Sequence, residues 1–80
     1  MKAQTRKQVL NWMYERIEQG ILHEEPGSCD SFEDAEGSIW DCVVSVENGK
    51  KFVYFYAELF FFPFATGHIT RTGKPRIKWN

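Results

Sequence analysis

The chain has 80 residues, 16% of them aromatic and 26% charged, with a formal net charge of −1. That composition is too apolar for intrinsic disorder, and the length predicts one domain over residues 1–80, whose core supplies only about 3 to 5 kcal/mol. Two cysteines fall short of the density of small secreted disulfide scaffolds, and the start MKAQTRKQ has no apolar run after its basic residues, so a reducing, cytoplasmic setting is expected.

The near-zero net charge conceals a partition along the chain. Residues 1 to 22 balance at +2, through Lys2, Arg6, Lys7 and Arg16 against Glu15 and Glu18. Residues 23 to 48 hold eight acids (Glu24, Glu25, Asp30, Glu33, Asp34, Glu36, Asp41 and Glu47) and no lysine or arginine. Residues 49 to 80 balance at +5, with Lys50, Lys51, Arg71, Lys74, Arg76 and Lys78 against Glu58. The charges are sorted by segment.

The first element is a helix. Val9, Leu10, Met13, Tyr14, Ile17 and Ile21 recur at spacings of three and four and cover an arc of about 140° on a helical wheel. Thr5 followed by Gln8 fits a capping box, and Gly20 stands where a left-handed residue would end the element, which places the helix at about residues 6–19. Arg6 and Lys7 in the first turn and Glu15 and Glu18 near the end oppose the macrodipole, so tertiary packing has to hold it. Trp12 falls outside the apolar arc, beside Gln8, Arg16 and Gln19. It is read either as a widened core face with Arg16 across the ring or as a partner-contacting anchor.

His23 to Gly37, HEEPGSCDSFEDAEG, shows no period of two or of 3.6 and is expected to be an acidic loop over residues 23–37, pinned by Phe32. Its acids do not follow an EF-hand pattern. Glu24, Glu25, Asp30, Glu33, Asp34 and Glu36 are instead candidate partner contacts, and one form of this idea has the loop imitate nucleic-acid phosphate in the basic groove of a host protein.

The stretch SIWDCVVSVENGKKFVYFYAELFFFPF reads as a β-hairpin over about residues 38–62 with its turn at 48–49. An Asn-Gly two-residue turn pairs Glu47 with Lys50, Val44 with Val53, Cys42 with Phe55 and Trp40 with Ala57. One face then gathers Trp40, Cys42, Val44, Val46, Val53, Phe55, Ala57, Leu59 and Phe61 for the helix stripe to cover. The other carries Ile39, Asp41, Val43, Ser45, Glu47 with Lys50, Phe52, Tyr54, Tyr56, Glu58, Phe60 and Phe62, more aromatic than a solvent face requires. Pro63 ends the strand near Phe62. A third strand is expected around His68 to Thr72, and a short fourth over Arg76 to Trp79, so that the C-terminal strand or hairpin occupies about residues 67–79. The fold class expected is α+β, one N-terminal amphipathic helix packed on an antiparallel meander of three to four strands.

Chemistry is scarce. The most apolar window, Phe52 to Ala65, contains Glu58 and Pro63 and is shorter than the roughly 20 residues of a membrane helix. Cys42 falls on the predicted core face and Cys29 among acids, so neither is expected to be an activated nucleophile. His23, Cys29, Cys42 and His68 lack paired zinc-ligand spacing, and there is no P-loop, dinucleotide-binding glycine pattern or nucleophile elbow. No enzyme activity, cofactor or metal is expected.

Binding is the better expectation. Phe52, Tyr54, Tyr56, Phe60 and Phe62, with Trp12 and the acidic loop, form a candidate protein-contact set, serving a partner or a homodimer. In size and lack of motifs the chain resembles the small accessory proteins that phages make against host machinery, which implies an inhibitor or adaptor. The alternative is nucleic-acid binding through Lys50, Lys51, Arg71, Lys74, Arg76, Lys78 and Trp79, with Tyr54 and Tyr56 offered for stacking. The helix followed by a strand ending in VENGKKF resembles the opening of a double-stranded-RNA-binding domain, a family whose closing basic helix is missing from this sequence.

Overall fold

The computed structural model describes residues 3–57 and 61–80. Helix α1 covers Ala3–Glu18, and a short 3-10 turn covers Ile21–His23. Five strands follow: β1 Cys29–Glu33, β2 Ile39–Glu47, β3 Lys50–Ala57, β4 Ala65–Ile69 and β5 Pro75–Trp79. They form one antiparallel sheet in the order β1-β2-β3-β4-β5, with α1 on one face. The class is the α+β helix-on-meander expected, and the meander has five strands. Its last element is β5, where the double-stranded-RNA-binding pattern would place a helix.

Helix α1 already includes Ala3, so Thr5 lies inside the first turn, where it is buried instead of capping from outside. The other end follows the sequence. Gly20 adopts φ 94° and its N–H donates to the Ile17 carbonyl at 3.1 Å, turning the chain so that Ile21 and Leu22 are both buried.

The additional strand comes from the stretch read as a loop. Cys29–Glu33 pairs with β2, Phe32 opposite Trp40 and Asp30 opposite Cys42. Alternation is present, but one of its two inward residues is an acid. Asp30 tolerates that position because Arg16 reaches it from α1, Nη1 donating to Oδ2 at 3.2 Å.

Strands β2 and β3 pair in the register that Asn48-Gly49 dictates, from Glu47 with Lys50 to Trp40 with Ala57. Asn48 and Gly49 both have positive φ, 53° and 76°, as the two-residue turn matching strand twist requires. The third strand, β4, sits earlier than the expected His68 to Thr72, and Thr70–Lys74 forms the turn into β5 with Gly73 at φ 81°.

The core joins Val9, Trp12, Met13, Ile17, Ile21 and Leu22 to Trp40, Cys42, Val44, Val53, Phe55 and Ala65. Burying side chains of this size contributes about 1.5 to 3 kcal/mol each. Trp12 is therefore a core residue and not an exposed anchor. Its ring stacks on Phe32 at 5.6 Å between centroids and meets Phe55 edge-on at 5.6 Å. Strand β1 widens the sheet beneath that flank of α1, which is why the buried arc exceeds the one the apolar spacing marks. Two residues assigned to the core face are exposed: Val46, near the hairpin tip, and Phe61, 94% exposed in the β3–β4 connection. Glu58, Leu59 and Phe60 lie outside the described residues.

Candidate functional site: the open face of the sheet

Side chains alternate across each strand, so the residues that do not meet α1 share the opposite face. Register makes them contiguous. Cys29, Val43, Tyr54, Thr66 and Lys78 form one row across all five strands, and Ser31, Asp41 and Tyr56 lie in a neighbouring row. Ser45 pairs with Phe52, and His68 pairs with Arg76. The Phe52 and His68 rings join those pairs at 6.1 Å between centroids. Phe52, Tyr54 and Tyr56 are half-buried by their neighbours within the sheet, and the described elements provide no second layer over them.

A meander sets its strands side by side in chain order, which converts the charge partition of the sequence into a partition in space. On this face Glu33 and Asp41 belong to β1 and β2, whereas His68, Arg76 and Lys78 belong to β4 and β5. With strands about 4.8 Å apart, the two edges stand about 19 Å from each other. That is roughly two screening lengths at physiological ionic strength, so each end presents its own field. Tyr54 stands between them. Its hydroxyl donates to Glu47 Oε1, and this bond, with a smaller contribution from desolvation, raises the phenol pKa above its ordinary value.

The acids of the former loop divide into two groups. Asp34 is buried at the β1–β2 turn, where Oδ1 accepts the N–H groups of Glu36 and Ser38 at 2.8 and 3.0 Å and Oδ2 accepts the Trp40 indole N–H at 3.0 Å. The Trp40 bond, aided by those backbone donors, holds the carboxyl below the usual carboxylate range against the opposing effect of desolvation. Asp30 is engaged by Arg16. Burial removes Asp34 from the candidate partner contacts, while the Asp30 side chain stays 37% exposed. Glu24, Glu25, Glu33 and Glu36 remain exposed.

The basic candidates also separate. Arg76 and Lys78 lie on the open face, while Trp79 points to the helix side, tilted against Phe64 at 5.6 Å with the Arg6 guanidinium 5.0 Å from its ring centroid. Trp79 therefore cannot stack a base beside them. Lys50, Lys51 and Arg71 converge at the hairpin-tip end of the sheet, where they line a groove of about 1360 Å³ together with His23 and His68. No local pattern in the chain marks this groove, because three distant segments build it. Phe62 is 83% exposed in the β3–β4 connection and edges a smaller cavity beside Trp40, Phe64 and Trp79. Phe60 lies outside the described residues.

The thiols differ in kind. Cys42 is buried and its pKa is pushed up to about 12, chiefly by desolvation, which leaves it inert as a nucleophile at neutral pH. Cys29 is exposed, with Sγ 3.1 Å from the Gly27 carbonyl oxygen. Among the described residues no helix is long and apolar enough to cross a membrane, and no three of His, Cys, Asp and Glu cluster as metal ligands.

Comparison with known proteins gives no match to any family model, curated protein or solved structure.

Proposed function

We propose that the chain is a non-enzymatic protein-binding module, an inhibitor or adaptor, that docks its partner on the open face of the sheet. One observation carries this reading: Phe52, Tyr54 and Tyr56 project together from the central strand on the side that α1 leaves bare. Aromatic residues at the centre of a patch with polar and charged residues around it are the usual anatomy of a protein interface. The acidic and basic ends supply orientation, since a partner of matching polarity is steered into one alignment. Asp34 and Trp12 are buried in the fold and have no part in this surface.

The test is affinity capture from cell lysate followed by mass spectrometry, with the wild-type chain beside a Tyr54→Ser, Tyr56→Ser double variant. A partner retained by the wild type and lost by a folded variant is the expected result. Equal capture by both would remove the open face as the docking surface.

Nucleic-acid binding stands as a second reading because His68, Arg76 and Lys78 flank the aromatic residues on the same face. Basic groups neutralise phosphate and aromatic rings stack bases. A gel shift with short single- and double-stranded DNA and RNA at about 50 mM salt decides it, and no shift there ends this reading.

A further inference from the structure

The groove at the hairpin-tip end wraps around that end of the sheet, meeting the open face at Phe52 and His68 and the helix side at Ile69 and Pro75. The end of α1 and the turn after it form one wall through Ile17, Gly20, Leu22 and His23. The start of β3 contributes Lys50 and Lys51, and β4 with the following turn contributes Ile69 and Arg71, closing at Pro75. On the helix side its accessible apolar lining is Ile69, 41% exposed, with the half-buried Pro75, over the buried Ile17 and Leu22. Lys50 and Arg71 stand exposed at the rim. Lys51 is also there, its ammonium donating to the Glu24 carbonyl at 2.6 Å. Glu18 is the one acid in the lining.

We infer that this groove receives an acidic, amphipathic peptide segment of the protein partner, with apolar side chains against Ile69 and Pro75 and carboxylates toward Lys50 and Arg71. The inference rests on the protein-binding reading and names the chemistry of the partner. Charge complementarity selects the occupant: in a chain of net charge −1, the lysines and arginine of this end face a groove with a single acid. The chain's own acidic strand β1 is at the far edge of the sheet. The apolar lining separates a peptide from a nucleic acid, because a phosphate backbone would satisfy the rim and leave Ile69 and Pro75 uncovered. Exposed charges at a rim steer and orient, so the complex is salt-sensitive, while the lining supplies the apolar contact that persists in salt.

The test uses the full chain and fluorescence anisotropy. The probes are a fluorescein-labelled peptide alternating glutamate with leucine, the same peptide with lysine for glutamate, an all-glutamate peptide, and an oligothymidylate. The first should bind best, with affinity falling about tenfold or more in a Lys50→Glu, Arg71→Glu variant and falling again in Ile69→Ser. Both rim residues are exposed, so reversing them leaves the core intact, and circular dichroism confirms the fold. No binding of the first peptide, binding that ignores the rim variant, or tighter binding of the oligothymidylate would each overturn the inference. The Tyr54→Ser, Tyr56→Ser variant separates the two proposals. Partner capture that needs the tyrosines while the peptide fails to bind overturns the groove alone. Peptide binding that needs the rim while capture ignores the tyrosines supports the groove and removes the open face.

Discussion

The indole N–H of Trp40 donates to Oδ2 of Asp34 at 3.0 Å, joining a core tryptophan of β2 to an acid six residues earlier in the β1–β2 turn. The other carboxylate oxygen accepts two backbone N–H groups of that turn. One side chain thus fixes a turn and satisfies a buried donor, which removes it from the surface where an acid-rich stretch would be expected to act.

Asp34→Asn should lower stability, because an amide has one acceptor oxygen. Turned toward the turn N–H groups, it sets an NH₂ against the Trp40 donor; turned toward Trp40, it abandons the turn. The sign with pH follows from the depressed carboxyl. Its contribution is present above the ordinary value of 3.8 and is lost as pH falls through the lower folded value. The gap in urea midpoint between wild type and Asp34→Asn should be wide at about pH 7 and narrow at about pH 2.5. A gap independent of pH would mean that Asp34 acts without its charge.

Trp12→Phe should leave stability within about 1 kcal/mol of wild type or raise it. The ring contacts with Phe32 and Phe55 are kept, and the Trp12 Nε1–H, buried with no partner among the described residues, is removed. Trp12→Ala instead opens a cavity at a cost of about 3 to 5 kcal/mol, comparable with the whole stability of a domain this size. Urea unfolding of both variants checks the pair, and a strong loss in Trp12→Phe would show that the lost indole volume outweighs relief of the unpartnered N–H.

The β2–β3 register was legible because Asn48-Gly49 admits one pairing and that pairing sorts apolar from polar residues. The helix end was legible at Gly20 for a similar reason, a local conformation that few residues adopt. Strand β1 was hidden because Asp30 points inward, and that position makes sense only with Arg16, fourteen residues away and on another element. Trp12 followed from the same omission: without β1 beneath it, the wheel placed it on the outside. On the open face the residues were legible from alternation, but their polarity needed the strand order. The groove was not legible at all, since residues 17–23, 50–52 and 68–75 meet only in three dimensions.

Gly67→Ala should destabilise the fold by about 1 to 3 kcal/mol. A Cβ at position 67 would lie 2.7 Å from Ile17 Cδ1, 2.9 Å from Val53 Cγ1 and 3.1 Å from Phe55 Cε2, so the missing side chain is what lets α1 settle on β4. Shortening Ile17 to Val makes room at the closest contact. The double variant Gly67→Ala, Ile17→Val should therefore lose less than the two single variants added together, as measured by a double-mutant cycle. Simple additivity would place the strain elsewhere.

Tyr54 offers a reporter on the open face itself. Its hydrogen bond to Glu47, with smaller effects of desolvation and of the Glu47 charge, raises its pKa above the ordinary 10.0, so in a Tyr14→Phe, Tyr56→Phe background the phenolate absorbance should rise late in an alkaline titration. Glu47→Ala should return the midpoint toward 10.0. The corresponding stability is present below 10.0 and is lost as pH climbs through the raised folded value, so Glu47→Ala should flatten the alkaline loss of stability as well. A midpoint unmoved by Glu47→Ala would show that the Tyr54 hydroxyl is not held by Glu47. Glu47→Ala also frees the phenol to donate to a partner across the face, so partner binding should tighten if the bond to Glu47 has to break on docking.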